Sequence, residues 1–346
     1  MAAYEGLFDA LGLRDWCDAG KVEAPMSMAQ LLARSRGGEE AAGAEGGGPP
    51  FPSLDVLHAA CDRIWQSRDL AAAVERNFLS MRGELKLVLD PLTQPLSWLL
   101  DGALHVFQAA PWWAMIPLLV ALTWLAARSR PVTLLVACVL LFFAVIDHYE
   151  VAMQTLAIVF VCTTLSVLLG VPVGIGMSRS DAARRLAVPV LDLLQTLPTF
   201  VYLIPLIFLF SVTESKLYGI AIILYAIVPV IRLTDLGIRL VDRDVIEAAD
   251  AFGMTRGQKL WRVQLPLALP NIMAGVNQTI MMSLAMVVIA SLVSAPGLGV
   301  LVLRGIRNLE LGTGIVAGLG IVLLAVILDR VSKAALGRVD KSQQPR

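Results

Sequence analysis

Apolar and polar positions divide this chain into two unlike parts. From about residue 111 onward, long apolar runs alternate with short charged stretches. Seven of these runs approach the roughly 20 residues that a helix needs to cross the hydrocarbon of a bilayer. They lie near 111–127, 131–147, 152–176, 197–213, 217–234, 268–293 and 311–328, the second being short. The stretch 186–198 reads as an amphipathic lead-in to the fourth run, with Asp192 and Gln195 on its polar side. Residues 1–85 read instead as a loosely organised tail. Within it, 35–53 is a Gly/Ala/Glu/Pro linker with too little apolar surface to fold. After the linker, Leu57, Cys61, Ile64 or Trp65, and Phe78 recur at helical spacing and predict a short amphipathic helix. Residues 86–110 are too polar for a comfortable span, holding Asp90, Pro91, Pro95, Asp101 and His105. Leu96, Leu100, Leu104 and Phe107 share one side there, which predicts a helix lying in the membrane interface. Residues 336–346 form a polar C-terminal tail.

Composition sharpens the membrane assignment. The chain is 57% hydrophobic and 16% charged, with a mean hydropathy of +0.72, whereas soluble domains are about a quarter charged. A formal net charge of zero offers no basic field for nucleic acid. Cys17, Cys61, Cys138 and Cys162 are widely scattered, and neither a disulfide framework nor a metal site is read from them. The first twenty residues have no basic region followed by an apolar core, so no cleavable leader is expected. Charge in the loops sets the orientation. Arg128, Arg130, Arg179, Arg184 and Arg185, the stretch 232–262, and the end of the chain place most Lys and Arg on one side. The opposite loops carry only Lys216, Arg304 and Arg307. An N-terminus outside and a C-terminus in the cytoplasm follow.

One cytoplasmic stretch, 240–266, is shaped rather than merely polar. Asp244 followed by Glu247 reads as an N-cap with a reciprocal acid. Val245, Ala249 and Phe252 make an apolar stripe, with Arg243, Glu247 and Asp250 opposite. The resulting helix is about nine residues, or roughly 14 Å, too short to span. Gly253 stands where a left-handed cap would stop it. Thr255 and Gln258 form a second capping pair, and a second short helix is expected to run to Pro266. The first helix presents Ala248, Ala249 and Ala251 beside Glu247, a shallow surface that lets another protein approach closely. A solvated loop with incidental caps is the competing account.

This stretch resembles the "EAA" loop of ABC-importer permeases: Glu247-Ala248-Ala249, three residues, Gly253, nine residues, Val263, one residue, then Leu265-Pro266. Val263 stands where isoleucine is usual. The resemblance implies a coupling helix that docks on a cytoplasmic ATPase, with Glu247, Ala248 and Gly253 as contact and hinge positions. Over residues 110–335, "QTLPTFVYLIP", "IMAGVNQTIMMSLAMVVIASLV" and "APGLGVLVLRGI" resemble the permease subunit of glycine betaine/proline importers. That family implies an all-α integral membrane protein with the type I ABC-importer transmembrane fold, of about seven spans. It also implies a homodimer, two ATPase subunits carrying ATP and Mg, and a separate extracytoplasmic solute-binding protein. Choline, carnitine or another small solute is the near alternative for the cargo.

Nothing in the chain supplies ATP chemistry or catalysis. It has no Gly-x-x-x-x-Gly-Lys-Ser/Thr phosphate cradle, and no cofactor or metal is expected on this subunit. Asn271, Asn277, Gln278, Thr279, Ser283 and Ser291 fall in the sixth run, where unpaired amides are costly in hydrocarbon. Asn277, Gln278 and Ser283 are candidate path residues, with Tyr202 from the fourth run. Interhelical hydrogen bonding is the competing account for the polar three, and packing for Tyr202 and Phe200. No aromatic cage for a quaternary ammonium is evident. No charged residue lies deep in a run, which argues against a second class, the ion-coupled secondary transporter.

Overall fold

In the computed structural model, residues 8, 10–13, 61 and 67–343 are described. The expected linker at 35–53, the helix start around Leu57, Ile64 and Trp65, and residues 344–346 of the tail lie outside them. Two compact units are present, Met1–Met81 and Arg82–Arg346. In the first, Cys61 is disulfide-bonded. This corrects the reading of the cysteines as free of disulfides; Cys138 and Cys162 are free thiols. All regular structure among the described residues is helical.

Helix α1 (Ser67–Ala109) contains the whole interfacial stretch expected from residue 86 to residue 109, with Pro91 and Pro95 inside it. It ends because Pro111 lacks an N–H and pushes Ala110 out of the helical region. Helix α2 (Trp112–Ala127) departs at 115° to it. Helix α3 (Arg130–Val145) is 16 residues long, and α4 (Tyr149–Arg179) is 31. Helix α5 (Asp181–Thr196) is the expected amphipathic lead-in, capped by the Ser180 hydroxyl.

The fourth expected span is not one helix. Leu197 precedes Pro198 and is extended, at φ −64° and ψ 134°. A single 3₁₀ turn, Thr199–Tyr202, then leads into α6 (Leu203–Leu209), a helix of 7 residues. The chain bends by 106° between α5 and the α6 segment. Helix α7 (Ser215–Arg239) is continuous, followed by α8 (Arg243–Ala251), α9 (Arg256–Lys259) and α10 (Leu265–Ala290). Helices α11 (Leu298–Arg307) and α12 (Leu311–Gln343) complete the chain. Four helical stretches are long and apolar enough to cross a membrane unbroken: α4, α7, the run Arg256–Val293 that contains α10, and α12. The two bent pairs and the short α3 account for the other three expected runs.

Helix α7 is central. Its apolar stretch is 61% buried against 22% for α12, so α7 is the pillar and α12 borders the lipid. Small residues let its neighbours close on it, as in other membrane bundles. Gly170 and Gly174 of α4 face Val230 and Thr234 of α7, and Gly275 of α10 lies against the Val230 backbone. At the N-terminal end of α7, the buried Lys216 reaches Asp90 of α1 at 2.7 Å and Glu214 at 2.7 Å. Ser215 donates to Asp101 of α1, and Leu100 packs on Gly219.

Candidate functional site

The cytoplasmic loop is built from local capping. Asp242, not Asp244, is the N-cap of α8: its carboxylate accepts the Asp244 N–H at 3.0 Å. Asp244 instead sits in the first turn, where its charge favours the helix dipole. At the other end the Met254 N–H donates to the Ala249 carbonyl at 3.1 Å and the Gly253 N–H to that of Asp250 at 2.9 Å. This pair of bonds is a Schellman motif, and it requires the left-handed φ of +72° that Gly253 adopts. The expected box at Thr255 and Gln258 is present in both directions, at 3.0 and 3.4 Å. Lys259 closes the bend with two bonds to Asp250, at 2.6 and 2.7 Å.

The second rod does not stop at Pro266. From α9 the chain runs through a π turn, Leu260–Gln264, straight into α10. Pro266 lies in the first turn of α10, where its missing N–H costs nothing. Val263 and Leu265 therefore belong to the shaft of α10 rather than to a separate helix. Leu260, Ala268 and Ile272 of this shaft pack with Ile238 of α7, and Val171 and Ile175 of α4 close the cluster. The apolar stripe of α8 is split: Ala249 is buried, but Phe252 is 85% exposed, and Trp261 beyond the bend is 68% exposed. Glu247 and Ala248 are exposed beside them. A helix that only rested on its own protein would bury Phe252, so this face is open to a partner.

Above the elbow sits a clamp that the sequence did not reveal. Asp235 of α7 is 4% exposed, and its carboxylate meets Arg239 at 2.8 Å and Arg184 of α5 at 3.2 Å. Arg239 also reaches Asp181 at 2.8 Å and donates to the Met177 carbonyl of α4 at 2.9 Å. One buried acid thus ties α4, α5 and α7 together at the C-terminal end of α7. Only loss of both arginines would leave Asp235 a buried charge without a partner, the case that costs about 3–5 kcal/mol.

The four candidate path residues do not converge. Asn277 donates to Asp329 of α12 at 2.9 Å and accepts from the Ser332 hydroxyl at 2.7 Å. Ser283 is buried and accepts from the Thr163 hydroxyl of α4 at 3.1 Å. One turn along on each helix, Ser166 and Thr279 are buried with hydroxyls that lack a partner among the described residues. A strip of hydroxyls therefore runs down the contact between α4 and α10. Gln278 is exposed, and Tyr202 is buried in the 3₁₀ turn with an unpaired hydroxyl. Asn277→Leu is expected to lower thermal stability by about 1–3 kcal/mol, because Asp329 loses a charge-assisted partner. Thermal unfolding of the purified protein checks this. A variant as stable as the wild type but with a raised KM for solute would place Asn277 on the path.

Continuous and broken spans around a small-residue core, with a capped elbow between two of them, define a multi-span membrane protein. The chain belongs to the family of binding-protein-dependent transport system inner membrane components, whose profile matches residues 166–341. It is an ABC-transporter permease subunit, a multi-pass membrane protein. The glycine betaine/proline betaine transport system permease of Escherichia coli is 42% identical over 75% of this chain and 72% of its own. The glycine betaine transport permease of Bacillus subtilis is 43% identical over 61% of this chain and 73% of its own. The glycine betaine/carnitine transport permease of Listeria monocytogenes is 41% identical over 70% of this chain and 87% of its own. Among solved structures, the inward-facing MetNI methionine ABC transporter gives a TM-score of 0.50 at 20% identity, covering 56% of this chain and 95% of that one. That likeness is one of fold, the type I ABC-importer transmembrane domain.

Proposed function

We propose that this chain is the permease of an ATP-driven importer that brings glycine betaine, proline betaine or a closely related compatible solute across the bacterial inner membrane. It works as a homodimer with two cytoplasmic ATPase subunits, which hold ATP and Mg, and an extracytoplasmic solute-binding protein. The observation that carries the coupling is the elbow at Gly253, which presents Glu247, Ala248 and the exposed Phe252 on a rod fixed to the cytoplasmic end of α10. The names of the relatives support the cargo. The basic loops support an outward N-terminus and a cytoplasmic C-terminus. The disulfide at Cys61 supports the same orientation, because such bonds persist in oxidising compartments.

ATP binding closes the two motor subunits and draws the elbows inward. Lys259 and Asp250 bridge the bend. Motion of α8 therefore passes into α10 through the continuous π turn, and through Asp235 and its two arginines into the broken α5–α6 pair. The cavity then opens outward to receive solute, and hydrolysis resets it. The test is uptake of radiolabelled glycine betaine by proteoliposomes holding the permease and ATPase, with the binding protein outside. Accumulation is expected only with ATP inside, and carnitine and choline serve as competitors. Uptake without ATP would identify a secondary transporter instead. ATP-dependent uptake of carnitine or choline alone would keep the machine and overturn the cargo.

A further inference from the structure

Among the described residues, an apolar groove lies between α2, α3, α4 and α12, outside the elements assigned to coupling. It has a volume of about 430 Å³ and is lined by Met115, Leu122 and Ala126 of α2, Leu140 of α3, Phe160 of α4 and Val331 of α12. The Thr123 hydroxyl on its wall is already committed, donating to the Leu119 carbonyl at 2.8 Å. Nothing in the lining could hold a small polar solute. From Met115 to Ala126 the helical rise is roughly 16 Å, about the depth of one leaflet of a ~30 Å hydrocarbon core. An acyl chain fits that length and that lining.

Arginines adjoin the lining residues Ala126 and Val331 in the sequence. Arg128 closes α2, Arg130 opens α3, and Arg330 adjoins Val331 on α12; all three are exposed. Arg128 and Arg130 have no acidic partner among the described residues. Asp329, the nearest acid in sequence to Arg330, is bonded to Lys333 and Asn277. A second copy of this chain could lay an apolar helix in the groove, but would leave these cations uncompensated. We propose that the groove is a binding site for one anionic phospholipid. One of its two acyl chains lies between the α2–α3 hairpin and α4 and α12, and its phosphate lies at Arg128 and Arg130. The lipid then wedges the hairpin against the transport core.

The test is native mass spectrometry of the full-length permease released from bilayers of equal phosphatidylglycerol and phosphatidylcholine. The wild type is expected to retain phosphatidylglycerol in preference. Arg128→Gln with Arg130→Gln is expected to weaken that retention by about thirtyfold, roughly fivefold for each charge near the surface. Lysine at both positions is expected to restore it. Ala126→Trp, which fills the groove, is expected to remove both lipids. Equal retention of the two lipids by the wild type would overturn the proposal, as would retention unaffected by the glutamine pair. Disulfide cross-linking of Leu122→Cys between two copies in the membrane would overturn it in favour of a protein occupant. If Ala126→Trp fails to fold, the arginine pair and its lysine rescue decide the question alone.

Discussion

Gly174→Val is expected to remove most of the folded permease from the membrane. A Cβ at Gly174 would lie 2.6 Å from the Thr234 Cβ and 2.7 Å from the Ile231 carbonyl oxygen. The second contact is with backbone, so no rotamer change can relieve it. Helices α4 and α7 must separate, and the seam through Gly170 opens with them. Overpacking of a close core costs about 1–3 kcal/mol, and valine adds two further methyls beyond the Cβ. Because α7 is also clasped by α10 at Gly275, where a Cβ would lie 3.0 Å from the Val230 Cα, separation on one side disturbs the other. The measurement is the yield of monodisperse protein after detergent extraction, with its unfolding temperature. Gly174→Ala is expected to show the same defect in milder form. Normal yield and stability of the valine variant would mean that α4 and α7 do not approach this closely.

Gly253→Val is expected to leave the permease folded and to uncouple it. The two glycines fail for opposite reasons. Around Gly253 nothing lies within 4 Å of an added Cβ, so no neighbour is hit. The penalty is the left-handed φ of +72°, which costs an L-residue roughly 1–2 kcal/mol, and a β-branched one more. The chain escapes that cost by releasing the two Schellman bonds to Ala249 and Asp250, and the elbow swings. The expected result is wild-type yield with solute uptake reduced several-fold or more, alongside weakened ATPase binding or hydrolysis without transport. Gly253→Asn is expected to recover most of the uptake, because asparagine tolerates this region. Wild-type uptake by the valine variant in proteoliposomes would remove the elbow from the mechanism.

The contrast between these glycines marks what could be read in the sequence. Gly253 was legible because its role is local: an amphipathic stripe ending at Phe252 before it, a Thr255–Gln258 capping pair after it, and only Met254 between Gly253 and Thr255. Gly174 was passed over, although Gly170 and Gly174 stand four apart on one helix face, which is a signal for close helix approach. Two residues can compete for one local role. Asp242 and Asp244 can both cap, and the choice fell on the one nearer the first apolar residue. Pro266 read as a stop, yet in the first turn of a helix it needs no N–H, so α9 runs on into α10. Pro198 was embedded in an apolar run that looked like one span. It holds Leu197 extended and parts α5 from the run, of which only 199–209 is helical.

The sequence by itself determined that this is a multi-span membrane protein and that one loop is a capped elbow. Each of these follows from hydrophobicity summed along a run, or from bonds between residues three to five apart. The tertiary structure decided which polar groups answer each other. Asn277 meets Asp329 across 52 positions, and Asp235 meets Arg184 across the α5–α7 contact. It also decided that α7 is the pillar and that α2, α3, α4 and α12 leave a groove. In hydrocarbon a polar side chain must find its partner on another helix, and which helix lies beside it is fixed by the packing of small residues far apart in the chain.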